Sequence, residues 1–110
     1  MPKVLVSDTV DRAGIEILSQ VAQVDEKTGL SEEELVNTIP EYDALMVRSG
    51  TQVTKNVIEA ANQLKIIGRA GVGVDNIDVD AATRRGIMVV NSPEGNTIAA
   101  AEHALAMMLS

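Results

Sequence analysis

The 110-residue chain has no cysteine, no tryptophan and no phenylalanine, and only one tyrosine and one histidine. The first absence excludes disulfides, thiolate metal sites and cysteine nucleophiles. A single histidine, His103, argues against a His-based metal site. With Tyr42 as the sole aromatic ring, the core must be filled by Val, Ile, Leu, Ala and Met. Positive charge is also scarce. Nine Lys and Arg stand against sixteen Asp and Glu, and the net charge of −7 argues against nucleic acid or an anionic membrane as a partner. No apolar run reaches the ~18–20 residues that span a bilayer. The opening "MPKVLVSD" enters a strand at once and does not read as a signal peptide. The expectation is a soluble cytoplasmic protein forming one domain over residues 1–110.

What is present is an alternation of apolar runs and helical patterns. "KVLVSD" (residues 3–8) is a continuous apolar run of the kind buried on both faces of a sheet. Asp11 can cap a following helix that carries Ile15, Ile17 and Leu18, with Val10 and Ile15 at hydrophobic-staple spacing. "VAQVDE" (21–26) is a more polar strand suited to an edge. In "LSEEELV", Ser31 and Glu34 form a capping box and Leu30 and Leu35 its staple. The strand "DALMVRS" (43–49) comes next, then a helix over about 55–63 with Val57, Ile58, Ala61 and Leu64 on one face, then the strand "LKIIGRA" (64–70). Asp78 caps a short helix ending at Gly86, with Arg84 and Arg85 in the last turn where the helix dipole favours positive charge. "GIMVVNS" (86–92) is the fifth strand, and a last helix runs from Thr97. Five strands alternating with five helices imply an α/β three-layer sandwich around a parallel sheet, with the flavodoxin-like order 2-1-3-4-5.

The last segment, "NTIAAAEHALAMMLS", is apolar almost all round and has no stop signal. Such a helix expects burial on more than one side, so either the chain has been cut or the helix has a partner. A folded-back helix would turn Ile98, Ala101, Leu105 and Met108 inward; a helix-paired homodimer would use Ala100, Ala104 and Met107. His103, beside Glu102, suits a solvated or interface position better than a catalytic one, and the methionines suit core or interface packing.

Ligands of open parallel sheets sit beyond the carboxyl ends of the strands. Those ends carry Asp8, Arg48 with Ser49, Arg69 with the loop Gly71–Gly73, and Asn91 with Ser92. Two guanidinium groups beside free loop amides make an anion site; alternatively, Arg48 and Arg69 pair with acids such as Asp43 or Asp75. In "GRAGVGVDNID" (68–78) the glycines at 71 and 73 suggest a dinucleotide loop, but Asn76 stands where a third glycine belongs. The following helix also starts too late to present its N-terminus to a pyrophosphate. A nest of amides for a small carboxylate suits the loop better. Arg48 and Asn91 replace the aspartate and lysine that a phosphoacceptor module needs, and a flavin site would want aromatics beside the ring.

The motifs "VRS", "GRAGVGVDNID" and the pattern N-S-P-x-G-N followed by A-E-H, taken together, resemble the D-isomer-specific 2-hydroxyacid dehydrogenases over essentially the whole chain. The resemblance implies the first part of a substrate-binding domain, with a separate nicotinamide-binding domain outside it. It implies NAD-dependent oxidation of a small anionic hydroxy acid, 3-phosphoglycerate, to 3-phosphohydroxypyruvate, the step that opens a route to serine. Arg48 and Ser49 resemble residues that hold the substrate's charged groups, and Gly71, Val72 and Gly73 the loop that takes its carboxylate. Asn91 and Asn96 match positions lining the interdomain cleft, and Val72 and Asn96 match positions near the cofactor. The family's catalytic arginine, glutamate and histidine match nothing in these 110 residues, so the resemblance assigns no catalytic residue, no metal and no bound NAD to this chain. The expectation is a truncated, inactive piece of such an enzyme. The rival is a stand-alone or engineered flavodoxin-like module that works through binding or folding alone.

Overall fold

Three of the apolar runs become strands that are closed off from solvent on both faces. The computed structural model describes residues 2–71, 75–92 and 106. β1 (Lys3–Val6), β3 (Ala44–Val47) and β4 (Ile66–Ala70) form the middle of a five-stranded parallel sheet. β2 (Gln23–Glu26) and β5 (Met88–Ser92) are its edges, and the order is β2-β1-β3-β4-β5. The sequence "QVDE" of β2 is half exposed, as an edge with one polar face requires.

The register aligns Leu5, Leu45, Ile67 and Val89 in one row and Val6, Met46, Gly68 and Val90 in the next. Because side chains alternate along a strand, these rows serve opposite faces. The first face packs on α2 (Glu32–Thr38), α3 (Lys55–Ala60) and α4 (Val79–Arg84), through Leu35, Val57, Ile58, Ala81 and Ala82. The second packs on α1 (Arg12–Ser19) through Ile15 and Leu18. A Cβ at Gly68 would stand 2.8 Å from Met46 Sδ, so glycine there makes room for the thioether of the neighbouring strand.

The helix starts follow their caps. The Asp11 carboxylate accepts the Ala13 N–H (3.4 Å), and Ser31 and Glu34 form both bonds of a capping box. Those bonds to Ser31, backbone first, hold the Glu34 carboxyl below its ordinary pKa. Thr54 caps α3 and Asp78 caps α4. Gly86 ends α4 at a positive φ of 72°, a conformation that favours glycine. Arg85 does not serve its own helix: its guanidinium donates to Ile58 O (3.4 Å) and Glu59 O (3.0 Å), carbonyls at the end of α3.

α3 is shorter than the periodicity predicts, ending at Ala60 rather than near residue 63. Ala61 leaves helical geometry at ψ 75°, and the Asn62 N–H turns back to Ala60 O. That turn drops Leu64 into the core and lets the Lys65 N–H reach Asp43 O (2.8 Å) at the entry to β4. The predicted fifth helix, with the inward face assigned to Ile98, Ala101, Leu105 and Met108, lies outside the described residues. Only Ala106 of that segment is described, as helical and exposed. No helix among the described residues is long and apolar enough to cross a membrane.

Tyr42, the only aromatic, is fully buried and donates its hydroxyl to Asp25 Oδ2 at 2.6 Å, tying edge strand β2 to the entry of β3. Lys3 lies over its ring, 5.0 Å from the centroid, and bridges Glu41 at 3.1 Å. Burial first, then the bond to Asp25, raises the phenol's pKa well above its ordinary value. A raised folded-state value means that this contribution to stability is complete below the unfolded value near ~10 and is lost as pH climbs through the folded one. Alkaline titration of phenolate absorbance should show a higher midpoint for the native chain than for the chain in urea. Equal midpoints would count against the buried bond.

Candidate functional site

Among the described residues, the buried polar or charged ones are Ser7, Thr51, Arg69 and Asn76, and all four lie toward the carboxyl edge of the sheet. Most buried polar groups are hydrogen-bonded, and three of these, Ser7, Thr51 and Asn76, share one network. Its centre is the loop that leaves β3, residues 48–53. Asp8, just beyond β1, accepts the backbone N–H of Arg48 (2.7 Å) and of Thr51 (3.0 Å) on Oδ2. The Thr51 hydroxyl donates to Asp8 Oδ1 (2.8 Å), which leaves its oxygen to accept the Ser7 hydroxyl at 2.9 Å. Residue 50 is glycine where the carboxylate comes closest: a Cβ there would stand 2.8 Å from Asp8 Oδ1.

The loop is held from its other side by Asn76. Its Nδ2 donates to Arg48 O (2.7 Å) and Thr51 O (2.6 Å). Two acceptors around one atom fix which end of the amide is nitrogen. An isolated bridge between Val53 and Ile77 continues the seam, with Val53 N–H on Asn76 O (2.8 Å) and Asp78 N–H on Val53 O (2.9 Å). The loops after β3 and β4 are thus stitched together by main-chain and side-chain bonds.

On this frame the Arg48 side chain is exposed, with Nη1 3.4 Å from Thr9 O, and Ser49 is exposed beside it. Val47, Arg69 and Asn91 are register neighbours across β3, β4 and β5, which brings Arg48, Arg69 and Asn91 to one edge. Asn91 is exposed and Arg69 buried. Gly71 adopts φ 155°, an angle L side chains rarely take, and a Cβ there would contact Arg69 Nη1 at 3.6 Å. Val72, Gly73 and Asn96 lie outside the described residues, as does His103. Asp43, one of the acids weighed as an arginine partner, instead accepts the Lys3 N–H (2.9 Å) at the opposite, amino end of the strands. Asp75 is exposed.

Asp8 heads the edge residues in the sequence, but its carboxylate is consumed by the loop. The loop's Arg48 and Thr51 amides are likewise occupied, while the Arg48 and Ser49 side chains are exposed. Sequence reading did not anticipate Ser7, Thr51 or Asn76. The available signal was positional: polar residues directly after a fully apolar strand need buried partners.

The described residues of the loop after β4 are poorly suited to the pyrophosphate of a dinucleotide. Asn76 is buried and committed to two carbonyls, and α4 has only six residues. The Ala81 N–H at its start is already taken by the Asp78 carboxylate (3.0 Å), which would also repel a phosphate. Among the described residues, no three His, Cys, Asp or Glu are grouped to hold a metal.

The sequence profile of the D-isomer specific 2-hydroxyacid dehydrogenase catalytic domain matches residues 4–106. A D-3-phosphoglycerate dehydrogenase of Synechocystis sp. is 74% identical over 110 residues, all of this chain and 20% of that protein. The chain therefore spans about a fifth of the length of this curated relative. Among solved structures, a Pyrococcus horikoshii protein superposes with a TM-score of 0.81 at 38% identity, covering 84% of this chain and 28% of that one. An NAD+-bound 3-phosphoglycerate dehydrogenase of Entamoeba histolytica gives a TM-score of 0.76 at 28% identity, covering 97% and 38%.

Proposed function

The chain belongs to the D-isomer specific 2-hydroxyacid dehydrogenase family, and from that premise we propose that it forms part of the substrate site of an NAD-dependent enzyme oxidising 3-phosphoglycerate. The observation that carries the reading is the exposed Arg48 guanidinium on a loop pinned from both sides, at the same strand ends as Arg69 and Asn91. Arg48 presents a planar fork of donors, which suits a carboxylate or phosphate oxygen pair. Ser49 adds a hydroxyl donor. By the family resemblance Gly71, Val72, Gly73 and Asn91 belong to the same substrate-binding set, and Val72 and Asn96 to the cofactor-binding one. The work of these residues is to bind and orient the anion. No proton or hydride transfer is assigned to them.

This reading predicts that the 110-residue chain alone shows no dehydrogenase activity and binds 3-phosphoglycerate no tighter than ~1 mM, about 4 kcal/mol. NMR titration with 3-phosphoglycerate should move signals of Arg48 and residues 71–73, and Arg48→Ala should abolish those shifts. In the gene product, Arg48→Ala should raise KM for 3-phosphoglycerate by at least about tenfold, the worth of one lost charge-assisted contact, and leave KM for NAD close to wild type. Shifts confined to another surface, or an unchanged KM, would overturn it.

A further inference from the structure

We propose that Asp8 is a positioning residue for substrate binding: it fixes the backbone of Arg48 so that the guanidinium meets the substrate anion at a set place. The proposal rests on the reading of Arg48 as a substrate ligand. The Asp8 carboxylate occupies the position that a bound anion would take in a nest of loop amides, receiving the N–H of Arg48 at 2.7 Å and of Thr51 at 3.0 Å. Asn76 takes the carbonyls of the same two residues. Both backbone polar groups of Arg48 are therefore held by side chains from elsewhere in the chain, one beyond β1 and one beyond β4. Among the described residues the side chain makes one long contact, to Thr9 O at 3.4 Å, so its placement is inherited from the backbone. Asp8 lies 40 residues from Arg48 in sequence and bonds its backbone N–H; its role is geometric.

Geometry makes the conservative variant informative. In Asp8→Asn the amide oxygen takes the place of Oδ2 and keeps both backbone N–H bonds. The new Nδ2 donates to Thr51 Oγ1, whose hydroxyl turns to Ser7 O, 3.3 Å away. Asp8→Ala keeps none of these bonds.

The test measures steady-state kinetics of the gene product with 3-phosphoglycerate and NAD for Asp8→Ala, Asp8→Asn, Thr51→Val and Arg48→Ala. It adds hydrogen exchange at the Arg48 and Thr51 amides. Asp8→Ala should raise KM for 3-phosphoglycerate by about tenfold to a hundredfold, the worth of the charge-assisted contact that a displaced Arg48 loses. KM for NAD should stay within about threefold, and Asp8→Asn should restore most of the loss. Protection of both amides should vanish in Asp8→Ala and persist in Asp8→Asn. If Asp8→Ala does not fold, Thr51→Val, which removes the bonds of the Thr51 hydroxyl to Asp8 Oδ1 and Ser7 but keeps both backbone bonds to Oδ2, should still raise KM for 3-phosphoglycerate and lower the protection of the Arg48 amide. Asp8→Asn behaving as badly as Asp8→Ala would assign the effect to charge and overturn the proposal. So would wild-type KM in Asp8→Ala, or in Thr51→Val where that is the variant that folds, alongside a raised KM in Arg48→Ala. An unchanged KM in Arg48→Ala would instead overturn the substrate-site reading and this proposal with it.

Discussion

Leu45→Ala should destabilise the chain by about 2–5 kcal/mol in urea denaturation, the range for a buried leucine truncated in a core. Leu45 sits in the central strand, fully buried, between Leu5 and Ile67 in register and under the helices of the first face. Its neighbours include Val57, Ile58 and Ile67, β-branched side chains with restricted rotamers. They can shift little to fill the gap, which favours the upper half of the range. Against a total of about 5–15 kcal/mol for an ordinary domain, such a loss leaves a chain that melts near working temperature. Glu33→Ala, at an exposed site on α2, is the control and should stay within ±0.5 kcal/mol. A loss below about 1 kcal/mol in Leu45→Ala would show that the site collapses around the smaller side chain.

Asn76 should be the most sensitive polar residue. Asn76→Ala removes two short bonds, at 2.6 and 2.7 Å, and leaves the Thr51 and Arg48 carbonyls without that donor at a buried site. An unsatisfied buried acceptor costs about 1–3 kcal/mol, so a total loss of about 2–4 kcal/mol is expected, at the lower end if water enters. The order of variants is the sharper readout. Asn76→Asp replaces the donor with an oxygen facing two carbonyl oxygens and should be worse than Asn76→Ala at neutral pH. Denaturation midpoints of the two variants, measured together, check this. Asn76→Asp more stable than Asn76→Ala would mean that the side chain does not clamp the loop as described.

These two residues mark what could and could not be read in advance. Leu45 belongs to "ALMV", whose unbroken apolar character announces a strand buried on both faces, and the sheet order follows from such runs separated by capped helices. The capping box at Ser31 and the caps at Asp11 and Asp78 are equally local, since donor and acceptor lie within a few residues. Asn76 was visible only as a missing glycine. Its partners are 25 and 28 residues away, and those of Asp8 are 40 and 43 away. A network of that span has no periodicity to betray it. Arg48, Ser49 and Asn91 could be placed at the carboxyl edge because strand ends are legible. That the Asp8 carboxylate and the loop amides are spent on each other was not. The early stop of α3 at Ala60 escaped for a related reason: Ala61 and Leu64 keep the apolar spacing of a helix while the chain turns towards β4.

Arg48 is held through its N–H and its C=O, groups that every residue except proline carries. Ser49, its neighbour, is exposed and lies between two fixed points. The path of this loop is therefore written by Asp8, Thr51 and Asn76 and is indifferent to the side chains it displays. Exchanging residues 48 and 49 changes what is offered to a ligand without redrawing the backbone that offers it. A scaffold of this type separates inheritance of shape from inheritance of preference, so one change at the rim can be tried without first repairing the fold.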